Sequence, residues 1–221
     1  MNRKVLITGG SGSIGDSIVK KFKSSGYNVC APARSELDLE SVTSIKNYTF
    51  RNKSFDILIN NAGINEILKF TEFSTESIEK AVMTNLTSAA LLSKYLIPSM
   101  SKKQWGRIVN VSSIFSKISK PKRVLYTMTK SGLNGLTIGL ANEYAREGIL
   151  VNAVLPGFVD SLLTRQNNSP EDIIRLCSES IPVGRLSSVE EVADLIFYLG
   201  TSNNSYITGQ TIAIDGGVLV S

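Results

Sequence analysis

Six short apolar runs punctuate this chain, and most of the segments between them are of helical length, a pattern that few architectures accept. The runs are Val5–Ile7, Asn28–Cys30, Asp56–Ile59, Arg107–Val111, Leu150–Val154 and Thr211–Ile214. Short, continuously apolar runs of this kind read as strands covered on both faces. Strands joined by helical crossovers predict an α/β fold, a doubly wound parallel sheet with helices on both sides. Helices are best supported at Ile14–Ser24, Glu76–Lys102, Tyr126–Arg146 and Val189–Leu199, with Ser188 placed to cap the last ahead of Glu190 and Glu191. The chain has 221 residues and no repeat, linker or low-complexity stretch, so a single domain over residues 1–221 is expected.

Composition removes several chemistries. There is no His and only two Cys, Cys30 and Cys177, so a disulfide framework, a zinc site and every His-based acid/base mechanism are unexpected. Proton transfer near neutral pH is left to Tyr, Lys, Asp, Glu or Cys. Net charge is +5, but the basic residues are spread out except for Lys117, Lys120, Lys122 and Arg123. Without a nucleic-acid fold signature beside them, nucleic acid is not an expected partner. The apolar stretch after Met1 is too short for a signal peptide and no later run is long enough to cross a bilayer, so the expectation is a cytoplasmic protein without membrane contact.

Two local patterns carry chemistry. The first apolar run leads into Thr8-Gly-Gly-Ser-Gly-Ser-Ile-Gly15, which opens a helix. Gly10, Gly12 and Gly15 give the spacing that lets a dinucleotide pyrophosphate approach backbone N–H groups at a helix N-terminus. A plain glycine-rich turn has the same composition; the strand-turn-helix context favours the dinucleotide, with Gly9, Ser11, Gly12, Ser13, Ile14 and Gly15 around the phosphates. The second pattern is Tyr126-Thr-Met-Thr-Lys130, a phenol and an ammonium one helical turn apart. A nearby cation favours the phenolate and would bring the Tyr pKa down toward the working pH. Such a pair also arises as an ordinary surface contact, but Ser113 precedes Tyr126 at the end of the Arg107–Val111 strand, where strand ends face the ligand crevice.

Together with Asn60-Asn-Ala-Gly63, Asn85 in Thr-Asn-Leu, Val111-Ser-Ser113, Val151-Asn-Ala-Val-Leu-Pro-Gly157 and Ile214-Asp-Gly-Gly217, these elements resemble the short-chain dehydrogenase/reductase family over nearly the whole chain. The resemblance implies a Rossmann fold and a catalytic set of Asn85, Ser113, Tyr126 and Lys130. Ser112 would be structural. It also implies that Asn61, Ala62 and Gly63 line the adenosine side of the cofactor, and that Pro156, Gly157 and Val159 lie against the nicotinamide. Two departures stand out. Ser13 replaces the family's penultimate glycine, which alone would equally fit the extended epimerase and dehydratase branch; the C-terminal motifs and the length favour the single-domain branch. The stretch Ala33–Leu39 leaves only a few residues where the family has a crossover helix, so the family's third strand should be vestigial or absent. Asp38-Leu39 would keep the place beside the adenine.

Arg34 and Ser35 follow the second strand where an acidic residue would select NAD, so NADP is expected, with NAD possible. The resemblance implies hydride transfer between nicotinamide and a ketone or secondary alcohol, most similar to 3-oxoacyl carrier-protein reductases, with a small-molecule or carrier-linked carbonyl substrate. A sugar ketone reductase or epimerase-like enzyme and a non-catalytic dinucleotide-binding regulator are the alternatives. Phe158–Arg185 reads as a substrate lid, with a helix starting at Asn167–Pro170. Apolar and small residues around much of Tyr126–Arg146 suggest a homodimer or homotetramer through this helix and Glu76–Lys102. The basic loop between Ser113 and Tyr126 suggests an anionic substrate or carrier.

Overall fold

The computed structural model describes residues 3–221, and a single six-stranded, all-parallel sheet forms its centre. The strands are β1 (Lys4–Ile7), β2 (Asn28–Cys30), β3 (Ile57–Asn60), β4 (Gly106–Val111), β5 (Ile149–Pro156) and β6 (Thr211–Ile214). Their spatial order is β2-β1-β3-β4-β5-β6. All six expected strands are present. The chain moves outward from β1 to β2 and then returns past β1 to β3, so the order reverses beside β1. Sheets of this kind bind ligands outside the carboxyl ends of the strands at such a point.

The helices are α1 (Ser13–Ser24), α2 (Val42–Arg51), α3 (Thr75–Val82), α4 (Ser88–Lys102), α5 (Val124–Tyr144), α6 (Leu162–Asn167), α7 (Pro170–Glu179) and α8 (Val189–Gly200). Because successive strand residues face opposite ways, Val5 and Ile7 enter one core layer with Ile18, Phe22, Val192 and Ile196, while Leu6 enters the other with Leu92 and Leu96. Sequence-level helix starts reappear as caps. The Ser188 hydroxyl accepts from Glu191 N and the Glu191 carboxylate accepts from Ser188 N. The helix expected from Asn167–Pro170 begins at Pro170, capped by Ser169.

Two details depart from the pattern read in the sequence, and a third bears it out. The stretch 76–102 is two helices joined by a wide π turn over Met83–Thr87, which carries Asn85. The segment after β2 is not empty, because α2 supplies the crossover to β3 and packs Ile45 into the Leu6 layer. The lost element is the family's strand beyond β2: β2 is the sheet edge, and residues after it turn so that Leu37 is buried in the same layer. No helix among the described residues is long and apolar enough to cross a membrane.

Candidate active site

The glycine turn at the end of β1 is built so that no side chain enters it. Gly9 has φ +67, and a Cβ there would sit 2.8 Å from Ala62 Cα. A Cβ on Gly15 would strike the Gly9 carbonyl oxygen. Thr8 ties this turn to the loop after β3: its buried hydroxyl accepts from Asn61 N (3.0 Å) and Ala62 N (3.1 Å). Asn61 Nδ2 returns the contact by donating to the carbonyls of Thr8 (3.0 Å) and Gly9 (3.1 Å). Gly12 caps α1 without a side chain, so no capping group competes for the first-turn N–H groups of Ser13, Ile14 and Gly15. This bare cradle at a helix N-terminus fits a dinucleotide pyrophosphate. Ser13, the departure from the family's glycine, accepts from Leu162 N at 3.3 Å and so touches the start of α6.

Beyond β2, in the stretch expected to meet the adenosine, Arg34 is not free. Its Nη2 lies 2.8 Å from Glu40 and its Nε 3.6 Å from Asp38, although the side chain is 67% exposed. The sequence suggested a guanidinium waiting for a 2′-phosphate; the fold places two carboxylates around it. Asp38 also accepts from Glu40 N, its own N–H is held by Ser44, and Leu39 packs against the Leu6 layer. Ser35 lies exposed in the turn.

Asn85, Ser113, Tyr126 and Lys130 converge at the carboxyl ends of β3, β4 and β5. A chain of buried amides and hydroxyls fixes α5 against the sheet: Asn60 donates to Asn110 (2.8 Å), Asn110 to Thr137 (2.8 Å), and Thr137 to the Leu133 carbonyl. Sequence reasoning missed Asn110 and Thr137, whose polar character inside otherwise apolar elements was the available signal. Asn85 clamps the backbone of Ile64, accepting from its N–H (2.8 Å) and donating to its carbonyl (2.9 Å), and also donates to Thr129. The Ser113 hydroxyl accepts from Phe115 N at 3.2 Å, which leaves its own proton available. Ser112 points elsewhere and donates to the Lys130 carbonyl.

Lys130 is almost fully buried, donates to the Val111 carbonyl at 2.7 Å, and its Nζ stands 5.6 Å from the Tyr126 ring centroid. Burial pulls its pKa down to about 8. Tyr126 moves in the opposite direction from the sequence expectation: burial raises the phenol's pKa, and the opposing influences are Ser113 and the charge of Arg123 rather than Lys130. The phenol therefore carries its proton at neutral pH. Beyond it, the rings of Phe115 and Tyr126 meet edge to face at 6.3 Å, and those of Phe115 and Phe158 at 6.4 Å. Gly157 follows β5 and donates to the Ile214 carbonyl, while Val159 bridges to Ser187. The mouth loop holds Lys117, Lys120 and Lys122 in solvent and Arg123 half-buried.

A parallel sheet with a side-chain-free phosphate cradle at its reversal point, and a serine, a phenol and a buried ammonium beside it, defines a dinucleotide-dependent oxidoreductase. The family model described as enoyl-(acyl carrier protein) reductase matches residues 40–219. Among curated relatives, the 3-oxoacyl-(acyl-carrier-protein) reductase of Aquifex aeolicus (strain VF5) is 37% identical, covering 97% of this chain and 86% of the relative. The acetoacetyl-CoA reductase of Rhizobium meliloti (strain 1021) is 35% identical over 98% of both chains. The solved structure of ElxO with NADP bound is 31% identical, with a TM-score of 0.90 and 100% coverage of each chain. The chain belongs to the short-chain dehydrogenase/reductase family.

Proposed function

We propose that the protein is an NADPH-dependent reductase converting a 3-oxoacyl-type ketone to a secondary alcohol, the substrate being anionic itself or borne on an acidic carrier. The observation that carries this reading is the convergence of Ser113, Tyr126 and buried Lys130 beside the glycine cradle. NADPH is favoured over NADH by likeness to the NADP-bound ElxO structure, and Arg34 would meet the 2′-phosphate only on leaving its ion pair with Glu40. The cradle residues Gly9 to Gly15 would hold the pyrophosphate, Asp38, Leu39 and Asn61 to Gly63 the adenosine side, and Pro156, Gly157 and Val159 the nicotinamide. When bound, the reduced nicotinamide supplies a hydride to the carbonyl carbon.

The protein's own groups then serve the oxygen. Tyr126, protonated because burial raises its pKa, gives its proton to the developing alkoxide. Ser113 donates its free hydroxyl proton to the same oxygen as a hydrogen bond. Lys130 has one donor spent on Val111 and further donors for the nicotinamide ribose. Asn85 holds the Ile64 loop beside Lys130 and would hold a water linking Lys130 to solvent, by which the phenol would regain its proton. Exposed Lys117, Lys120 and Lys122 would steer an acidic carrier or substrate.

The proposed assembly is a homodimer or homotetramer through α4 and α5, because α5 leaves Val124, Met128 and Ile138 exposed and open space over Gly135 and Gly139. A monomer mass by light scattering would overturn it. The cytoplasm is the proposed location, compatible with unpaired Cys30 and Cys177. The direct test is NADPH oxidation with 3-oxoacyl substrates. Tyr126→Phe should keep NADPH binding and lose more than tenfold in kcat, about 1.4 kcal/mol or more. Retention of more than a tenth of wild-type kcat would remove Tyr126 from the assigned role.

A further inference from the structure

We infer that Arg123 reads the substrate's own carboxylate, so that the ketone reduced at this site is a free 3-oxo acid rather than a carrier thioester. This rests on the reductase reading above. Arg123 stands three residues before Tyr126, at the start of α5, so the two side chains share one edge of the site. Its guanidinium lies 5.7 Å from the Phe115 ring, which in turn meets Tyr126 and Phe158 edge to face. Lys120 lies over the far side of the same aromatic wall, 5.1 Å from the Phe158 ring.

What sets Arg123 apart is that its Nη1 is shielded from solvent and meets no hydrogen-bond acceptor. Among the described residues no carboxylate lies within ion-pair distance of it, whereas Arg34, Arg165, Arg175 and Arg185 are each paired. Arg107, the most buried arginine, satisfies itself on the carbonyls of Gly106, Gly148, Thr201 and Asn204. Arg3 also has an unpartnered Nη1, but it stacks on Trp105 beside the start of β4, away from the catalytic groups. Leaving a guanidinium donor buried and unmet is unfavourable, and a ligand that brings an acceptor removes the penalty.

An anion fits better than a neutral carbonyl. Guanidinium-carboxylate contacts are charge-assisted and can be bidentate, while a thioester oxygen offers one neutral acceptor. In a 3-oxo acid the carboxylate is separated from the ketone carbon by a single methylene. Arg123 precedes Tyr126 by three residues and is near enough for its charge to act on the phenol, so a carboxylate one methylene from a ketone held by Ser113 and Tyr126 would come within its reach. Glu66, on the loop after β3, is the carboxylate among the residues lining the cleft with Tyr126; it is solvent-exposed, and the mouth as a whole remains positive.

The test compares acetoacetate with S-acetoacetyl-N-acetylcysteamine, the same 3-oxo group as an anion and as a neutral thioester. Wild-type protein should favour acetoacetate at least tenfold in kcat/KM. Arg123→Gln should erase that preference by raising KM for the acid, and Arg123→Lys should restore part of it. In parallel, calorimetry on NADPH-loaded protein, with which the alcohol cannot react, should show 3-hydroxybutyrate binding at least tenfold more weakly to Arg123→Gln than to wild type, with the amide of the same acid showing no such difference. A wild-type preference for the thioester, or an acid-to-thioester ratio untouched by Arg123→Gln, overturns the inference and leaves the reductase reading standing. Arg123-dependent binding of 3-hydroxybutyrate without turnover of either ketone would do the reverse.

Discussion

Thr8→Val is a demanding test of how the cofactor cradle is held. Valine has nearly the shape of threonine, so the change removes the hydroxyl without opening a cavity. Thr8 is only 3% exposed, and its oxygen is the acceptor for Asn61 N at 3.0 Å and Ala62 N at 3.1 Å. Its own proton reaches the Ile59 carbonyl at 3.4 Å, long enough to count for little. Each N–H left without an acceptor costs about 1–3 kcal/mol. Asn61 and Ala62 are half-buried, so water recovers part of this, and the sum should be about 2–4 kcal/mol. For a chain of this size that lowers Tm by about 4–16 °C. In urea the midpoint should fall with the slope unchanged, and NADPH affinity should drop about tenfold, because the glycine turn and the Asn61–Gly63 loop, both proposed to line the cofactor, hang on the same oxygen. Thr8→Ser, which keeps the acceptor, should retain most of the affinity. A loss of stability under about 0.5 kcal/mol for Thr8→Val would refute the claim that this hydroxyl holds the two loops together.

Two further outcomes follow from the titratable groups. Burial holds Lys130 at a pKa of about 8, below its ordinary value, so between roughly pH 8 and 10.5 the unfolded chain binds more protons and the cofactor-free protein should become more stable as pH rises. The gain attributable to this side chain is about 3 kcal/mol across that window; urea melts of wild type and Lys130→Met with the same pH dependence would contradict it. At the adenosine side, Glu40→Gln should release Arg34 from its 2.8 Å ion pair and tighten NADP several-fold relative to NAD, whereas Arg34→Asp should weaken NADP far more than NAD. Equal changes for both cofactors in titration would show that Arg34 does not read the 2′-phosphate.

What the sequence determined by itself is what short-range chemistry dictates. Val5–Ile7 and Ile57–Ile59 are strands because continuous apolar runs can only be buried on both faces of a sheet. Ser188 and Ser169 start helices because their hydroxyls meet first-turn N–H groups within three residues. The glycine turn was legible because positive φ and close backbone approach exclude side chains. Tertiary structure decided which long-range partner each polar group finds. Spacing placed Lys130 one turn from Tyr126, yet packing commits its Nζ to Val111, and burial rather than the ammonium governs the phenol. Arg34 looked free until residues 38–40 folded back around it, and Arg107, inside a run read only as a strand, became a buried cation held by four carbonyls. The π turn carrying Asn85 and the Asn60–Asn110–Thr137 chain likewise depend on partners brought together from separate elements. Hydrophobic period and capping are properties of a few neighbouring residues, whereas desolvation and hydrogen-bond partnership belong to the packed interior, where residues distant in sequence compete for the same acceptor.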